Sequence, residues 1–450
     1  MYALYSLLTA AGILLLSPYF LLRGLIQGKY LSNIPERLGW RFPPELRGGS
    51  EGAREKSIWI HAVSVGEVLA VLPLALLLKK KFPLRRLVVS TTTVTGQKVA
   101  RERMPFADAV FYFPLDWRGP VKRTLDAARP GAVIIVETEI WPNFLRECRR
   151  AQVPVIFVNG RLSERSFRGY GRALAYSAGA LAGFLKKVLS DAALFLMQSE
   201  EDAARLIALG APRARVLVTG NLKYDLAEPC ETPLSAWLEA ELAKSNRGPV
   251  LVAGSVLADE EIPVLRAFAE VEREFPRALL ILAPRKPEQF DNAAAIVAES
   301  GRKLLRRSDL VLNGAGSAAL SDPVNVILLD SLGELAGLYR LADAVFVGGS
   351  LVPGGGHNIL EPAAFSKVPI YGPSMGNFRE MSAKFLAAGA AIQVKSSEDL
   401  GAAWGGLLRE PERAAHMGSC ARDLVDRNRG ATERVLEHIE RVIGSDRGGR

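Results

Sequence analysis

Residues 57–74, SIWIHAVSVGEVLAVLPL, read as a short buried strand, a tight break at Gly66 and then an apolar helix. The same alternation recurs. Strand-like runs SIWIHA, RRLVVSTT, AVFYFPL, GAVIIVE, VPVIFVN, AALFLMQ and ARVLVTG are separated by helix-like stretches opened by Gly66, Thr95, Trp117, Trp141, Ser163 and Ser199. Unbroken Val/Ile runs between helices predict a parallel sheet covered on both faces, since a strand buried on both sides has no polar alternation. Residues 225–248 interrupt the rhythm with Pro229, Pro233 and a polar close, which places an interdomain linker at 227–248. Beyond it the pattern restarts in PVLVAGS, RALLILAPR, VNVILLD, ADAVFVGGS, VPIYG and AAIQV, and helical segments from about 410 to 443 close the chain. The fold class is therefore α/β: two doubly wound, Rossmann-like domains, 31–226 and 249–450, with a ligand cleft expected where the carboxyl ends of the two sheets face each other. A chain of 450 residues is too long for one ordinary core.

Composition narrows the partners. Lys+Arg 57 against Asp+Glu 48 gives a formal charge of +9, which favours a membrane surface, a phosphorylated substrate or nucleic acid. Cys148, Cys230 and Cys420 are dispersed with no C-x-x-C, so a disulfide framework is not expected and a reducing compartment fits. The four histidines show no metal-type pairing and Asp-x-Asp is absent, so no metal site is expected. Residues 1–30 stand apart. From Tyr2 to Ile26 the chain is almost entirely apolar, long enough to cross a bilayer core of roughly 30 Å. Arg23, Lys29, Arg37 and Arg41 come late in this run or after it, which predicts an uncleaved anchor, spanning or interfacial, with everything that follows on the cytoplasmic side.

Several strand ends carry chemistry. In VFVGGSLVPGGGHNILEPAAFSKVPIYGP (345–373), a buried strand runs into Gly348-Gly349-Ser350, a loop holds Gly354-Gly355-Gly356, and His357-Asn358 opens a predicted helix bearing Glu361. Glycine amides and a helix start favour a phosphate. Ser255 in AGS, Arg285 in APRK and Glu334 in DSLGELAGLY end other strands of the same domain, and Arg285 suits a phosphate. In the first domain, VETEIWPN (136–143) would put Glu137 and Glu139 on one face if the strand continued. Glu67 follows Gly66, where the helix dipole favours an ionised acid and lowers its proton affinity; it is either ordinary helix-start chemistry or a catalytic base. Lys223 in VTGNLKYD could meet a substrate carboxylate. Arg161, Arg165, Arg168 and Arg172 fall within roughly 60° if helical, a stripe suited to anionic head groups or to plain solvent. GAGSAA (314–319) fits a dinucleotide fingerprint, but Ser321-Asp322-Pro323 would end its helix almost at once.

Taken together, RLGW, HAVSVGE, STTTVTG, PLDW, ETEIWPN, NGRLSERS, QSEEDAARLIALGA, TGNLKYD, APRKPEQF, GGS and GGGHNILEP resemble the 3-deoxy-D-manno-octulosonate (Kdo) transferases, membrane-anchored glycosyltransferases of the GT-B type. The resemblance implies transfer of Kdo from CMP-Kdo to a lipid A precursor (lipid IVA) in lipopolysaccharide core biosynthesis, at the inner membrane on its cytoplasmic side. It implies that the first domain binds the acceptor and the second the donor, with no metal, no cofactor beyond the donor and no nucleic acid. By similarity, Pro284, Arg285, Leu332, Gly333, Glu334, Asn358, Ile359, Leu360 and Glu361 would hold CMP. Glu67 would be the general base of an inverting displacement, with Glu137 and Lys223 stabilising the transition state. Ser255, Gly348, Gly349, Ser350, Gly356 and His357 are further donor-loop candidates, and the four arginines acceptor-phosphate candidates. Ala258 and Asp259 depart from the expected small residue or glycine before the acid, and Pro353 from the expected loop. The alternatives are another membrane-associated GT-B transferase using a UDP-sugar with a lipid or cell-wall acceptor, an oxidoreductase using GAGSAA, and a catalytically silent membrane tether, which would leave the acids unexplained.

Overall fold

In the computed structural model, residues 1–27, 33–47, 56–176, 179–225, 231–245, 247–310, 320 and 324–444 are described. They form two units, Met1–Leu226 with Asn428–Arg450, and Ala227–Arg427.

The first unit is built on seven strands: β1 (Ser57–His61), β2 (Leu87–Thr91), β3 (Ala109–Tyr112), β4 (Pro130–Val136), β5 (Val155–Gly160), β6 (Leu194–Met197) and β7 (Val216–Val218). They lie in the order β3-β2-β1-β4-β5-β6-β7, every pair parallel. Ile60 sits between Val89 and Ile134 in register. All residues of β1, β2, β4 and β5 are buried, as their unbroken apolar runs require. The period of two divides them between layers: Trp59, Val133, Ile135 and Phe157 pack in one core, while Ile58, Ile60, Ile134 and Ile156 pack with Val71, Leu74 and Leu78 of the Val65–Lys81 helix in the other.

The second unit repeats the plan with β8 (Val250–Val256), β9 (Leu279–Pro284), β10 (Lys303–Arg306), β11 (Val324–Leu328), β12 (Ala344–Val347), β13 (Pro369–Tyr371) and β14 (Ile392–Gln393) in the order β10-β11-β9-β8-β12-β13-β14, again all parallel. β10 was not legible in the sequence. It is an edge strand of Lys-Leu-Leu-Arg, too short and too charged to read as an apolar run.

Three boundaries differ from the sequence-based expectation. The linker expected at 227–248 contains the Pro233–Ser245 helix, which buries Leu234, Trp237 and Leu238 and whose Glu241 accepts a hydrogen bond from the Leu320 amide at 3.0 Å. It belongs to the second unit. The closing helices, expected with the second domain, part company after Arg427. The Ala431–Gly444 helix places Ala431, Val435, Ile439 and Ile443 at four-residue spacing in the core that also holds Val71, Leu74 and Leu78. Asp225 fastens its start by accepting from the amides of Gly430 and Thr432.

The third difference is at the N-terminus. Tyr2–Gln27 is helical, but its first turns are docked sideways on the first unit by polar contacts. Tyr2 donates to Asp191 at 2.8 Å and meets Phe184 edge-on, Ser6 accepts from Asn143 at 2.9 Å, and Thr9 accepts from Trp117 at 3.2 Å. Leu4, Leu7, Leu8, Leu14 and Leu15 face outward. Among the described residues no helix is long and apolar enough to cross a membrane, so the spanning anchor expected over residues 1–30 is not supported.

The packing of the last helix yields a test. Ile439→Ala should destabilise the first unit by about 2–5 kcal/mol, the usual cost of deleting a buried isoleucine side chain. Hydrogen exchange should then quicken in β1 and the Val65–Lys81 helix and stay unchanged in β8 and β9; acceleration confined to the second unit would show that the helix was misassigned.

Candidate active site

In the first unit the strand order reverses between β1 and β4, and the connections leaving their carboxyl ends diverge, which opens a crevice there. Glu67 lies just beyond β1, at the third position of the Val65–Lys81 helix. Its Oε1 accepts from Ser64 Oγ at 2.9 Å and its Oε2 from the Val63 amide at 2.8 Å, a variant of the capping box. Burial pushes its pKa up to about 7; the negative charges of Glu137 and Glu139 add to this, and the bonds from Val63 and Ser64 only partly oppose it. The helix-dipole reading predicted the opposite direction. It fails because the carboxylate is buried, and desolvation penalises the charged form by more than one helix turn stabilises it.

β4 ends at Val136, and Glu137 turns the chain with φ +60. The strand therefore does not continue, and Glu139 reaches the site by a turn and not by strand periodicity. A non-glycine residue in this region costs on the order of 1–3 kcal/mol. The turn is held by the Glu137 amide donating to Val158 O at 2.9 Å and by Thr138, whose Oγ1 donates to Arg161 O at 2.6 Å and accepts from the Arg161 amide at 2.9 Å. Burial and the Glu137 charge raise the Glu139 pKa as well.

The arginine stripe is smaller than expected. The helix begins at Glu164, so Arg161 precedes it, pinned to Thr138, while Arg165, Arg168 and Arg172 are exposed along it and Arg168 pairs with Glu164. Tyr170 of the same helix comes near Glu139, whose charge joins burial in raising the phenol's pKa; nothing in GRLSERSFRGYGR singled it out. Lys223 stands in the Leu222–Asp225 turn after β7. Asn159, at the end of β5 with φ +56, accepts from the Leu222 amide at 3.0 Å and draws this turn back from the sheet edge against the Glu67 helix.

The second unit reverses between β8 and β12. Gly348 donates to Gly254 O at 2.8 Å, and a Cβ on Gly348 would lie 2.6 Å from Ser255 O, so only glycine permits this approach of the two strand ends. Ser255 itself has φ +56. Gly349, at φ +66, leaves room for the His357 ring, which a Cβ there would meet at 2.7 Å. Arg285, just past Pro284 at the end of β9, donates its amide to Val256 O at 2.8 Å. Burial, reinforced by Arg285, lowers the His357 pKa to about 4, so its imidazole is neutral at physiological pH, and its Nε2 is buried without a hydrogen-bond partner. Burial raises the pKa of Glu361, opposed by a 3.2 Å bond from Asn358 Nδ2 and by Arg285. Arg285, His357, Asn358 and Glu361 thus form one group.

Other candidates are placed differently from the sequence-based reading. The helix expected to open at His357-Asn358 begins at Leu360 and is a single turn, Leu360–Ala363, with little dipole to offer a phosphate. Ile359 and Leu360 are buried in the core. Glu334 is the N-cap residue of the short Leu335–Leu338 helix and is held by Arg307 in a two-pronged pair at 2.9 and 3.2 Å and by Ser331. Leu332 is exposed, and Gly333 has φ +91 with open space beside it. Gly356 donates its amide to Gly349 O at 2.7 Å, and Ser350 Oγ bridges Val347 O and the Gly372 amide at 2.6 and 2.8 Å. The amides of Gly349 and Ser350, expected to close on a ligand, are instead taken by the buried carboxylate of Glu260, a residue the motif reading passed over. Asp259, where a small residue or glycine was expected, has φ +73, a region aspartate tolerates better than most residues. Among the described residues no cluster of three His, Cys, Asp or Glu is placed to hold a metal ion. The GAGSAA stretch and Cys230 lie outside the described residues.

Two doubly wound units, one with clustered acids at its switch point and the other with an arginine and a glycine-rich loop, define a two-domain α/β enzyme. The fold is shared with UDP-GlcNAc 2-epimerase from Neisseria meningitidis, solved with UDP-GlcNAc bound: TM-score 0.53 over 86% of this chain and 100% of that one, at 13% identity. The family described as 3-deoxy-D-manno-octulosonic-acid transferase (kdotransferase) matches residues 32–226. The 3-deoxy-D-manno-octulosonic acid transferase of Haemophilus influenzae is 33% identical over 415 residues, 92% of each chain. That of Bordetella pertussis is 33% identical over 425 residues, 90% of this chain and 93% of its own. The chain belongs to the Kdo transferase family and is a glycosyltransferase.

The acid cluster can be read directly. Carbon-13 NMR of the Glu67 carboxyl should give a midpoint near pH 7, moving down in Glu137→Gln and Glu139→Gln because each removes a negative neighbour. A midpoint in the ordinary carboxylate range in the unsubstituted protein would refute the effect of burial, and one that does not move in either variant would refute the coupling.

Proposed function

We propose that this glycosyltransferase moves Kdo from CMP-Kdo to a hydroxyl of a lipid A precursor, inverting the anomeric centre, with Glu67 as general base. The observation that carries this reading is the Glu67 carboxylate, raised to about pKa 7 beside Glu137 and Glu139 at the β1/β4 switch point. A base works best when its pKa is close to the working pH. As the acceptor oxygen bonds to the anomeric carbon, its proton passes to Glu67, and the bond from that carbon to the phosphate oxygen breaks, CMP leaving with the electron pair. One carboxylate acting on the face opposite the leaving group gives inversion. Glu67 keeps its bonds from Val63 and Ser64 throughout, because each carboxylate oxygen has a second lone pair.

The donor is assigned to the second unit. Arg285 and the neutral His357, whose buried Nε2 has no hydrogen-bond partner, would take the phosphate and sugar carboxylate, with Asn358 and Glu361 for the ribose and base. Phosphate departure then rests on Arg285 and not on a metal, so transfer should continue in excess EDTA. In the first unit, Lys223 would offset the cluster of acids, and Arg165, Arg168 and Arg172 would meet the acceptor's anionic groups. The outward leucines of the N-terminal helix suit contact with a membrane interface on the cytoplasmic side, from which such an acceptor would come.

Mass spectrometry of a tetra-acylated lipid A precursor incubated with CMP-Kdo should show increments of one or more Kdo residues. Turnover of a UDP-sugar with none from CMP-Kdo would overturn the reading. Glu67→Gln should retain CMP affinity and lose on the order of 10²–10⁴ in rate, the usual contribution of a general base. Because only ionised Glu67 accepts a proton, kcat/KM of the wild type should rise with pH and level off above about 7. The same acidic limb in Glu67→Gln would assign it to another group.

A further inference from the structure

The glycine-rich loop after β12 looks in sequence like a phosphate cradle, but its amides are already committed. Glu260, fully buried at the start of the Glu261–Glu274 helix, accepts four backbone hydrogen bonds. Its Oε2 takes the amides of Leu257 at 2.9 Å and Gly349 at 2.6 Å; its Oε1 takes those of Ser350 at 2.9 Å and Leu351 at 2.8 Å. Three of the four come from the Gly349–Leu351 turn, which converges on a single anion as such turns do. The anion is a side chain of the protein, reaching across from the neighbouring β8 end. A buried carboxylate is tolerated when its lone pairs are filled in this way.

What the turn carries follows directly. Gly349 O accepts from the Gly356 amide at 2.7 Å, and the Gly349 backbone is the wall against which the His357 ring lies. Ser350 O accepts from the Ser374 amide at 2.8 Å, whose Oγ accepts from the Gly355 amide at 3.1 Å. The segment leading to His357, Asn358 and Glu361 therefore hangs from the turn that Glu260 holds.

We propose that Glu260 is a positioning residue for the donor: its carboxylate fills the anion nest of Gly349–Leu351, withholds those amides from the donor phosphate and fixes the loop that presents His357 to Glu361. The phosphate is left to Arg285 and the groups around it. This rests on the donor reading above for the identity of the ligand, but the pinning of the loop does not.

Glu260→Gln is the informative substitution. Glutamine keeps the shape, but its NH2 must oppose one pair of the four amides. Loss of such charge-assisted bonds should raise the donor KM and weaken CMP binding by roughly 10- to 100-fold, with kcat at saturating donor changed far less. Glu260→Asp, which keeps the charge on a shorter arm, should recover part of the affinity and serves alone if the glutamine variant does not fold. Hydrogen exchange at Gly349–Leu351 is measured in parallel on the unliganded proteins and should quicken in the variants. Absence of CMP binding by the wild type, with quickened exchange in the variants, would fail the donor reading and leave the pin intact. Unchanged donor KM and CMP affinity in folded Glu260→Gln, whatever its melting temperature, would reduce Glu260 to a structural role and overturn the proposal.

Discussion

Both sites of this protein depend on one constraint, the parallel order of its sheets. Parallel neighbours cannot be joined by a hairpin, so every connection must cross over a face, and where the winding reverses two strands send their chains to opposite sides. The carboxyl ends of β1 and β4 in one unit, and of β8 and β12 in the other, are left uncovered by their own connections. Glu67, Glu137 and Glu139 occupy the first opening; Arg285, His357, Asn358 and Glu361 gather at the second. The helix that leaves β4 is fastened from the neighbouring connection: Asp116, which follows β3, accepts from the amides of Asn143 and Phe144 and caps the Pro142–Arg150 helix.

The two openings are electrically different, and that division separates their chemistry. In the first unit three acids crowd together, and burial makes the crowding count, because a low local dielectric strengthens repulsion as well as attraction. Burial is the main reason that the Glu67 pKa is raised to about 7, and the charges of Glu137 and Glu139 add to it. In the second unit, burial acts on a histidine beside an arginine. Both desolvation and the Arg285 charge drive His357 to its neutral form, leaving the arginine as the cation of that group. An acid cluster with a raised pKa and a group whose cation is an arginine thus arise from the same fold through burial of different residue types.

The architecture was legible because it rests on periodicity. The runs SIWIHA, GAVIIVE and PVLVAGS could only be strands buried on both faces, and β1, β4 and β8 lie within them. Positions that depend on tertiary context were not legible. Nothing in the spacing of Ala431, Val435, Ile439 and Ile443 says which sheet they cover, only that they share a face. The helix-dipole argument for Glu67 was sound for an exposed acid and gave the wrong sign for a buried one. The run from Tyr2 to Ile26 was read by its mean hydropathy, which hides the polar contacts of Tyr2, Ser6 and Thr9 along one side.

The glycine-rich loop shows where such reading stops in principle. A turn whose amides point at one spot binds an anion, and its glycines announce the turn but not the anion's origin. Here the anion lies 89 residues away in the chain, behind an Asp259 that takes the positive φ expected of glycine. That departure from the expected motif marks a constraint: the backbone must turn sharply at 259 for the next residue's carboxylate to enter the nest. With the nest filled from within, the loop is fastened by a carboxylate of the protein itself. On the donor reading proposed above, the electrostatic work of holding a leaving phosphate would then fall to a side chain, Arg285, whose charge can serve both the bound and the departing anion.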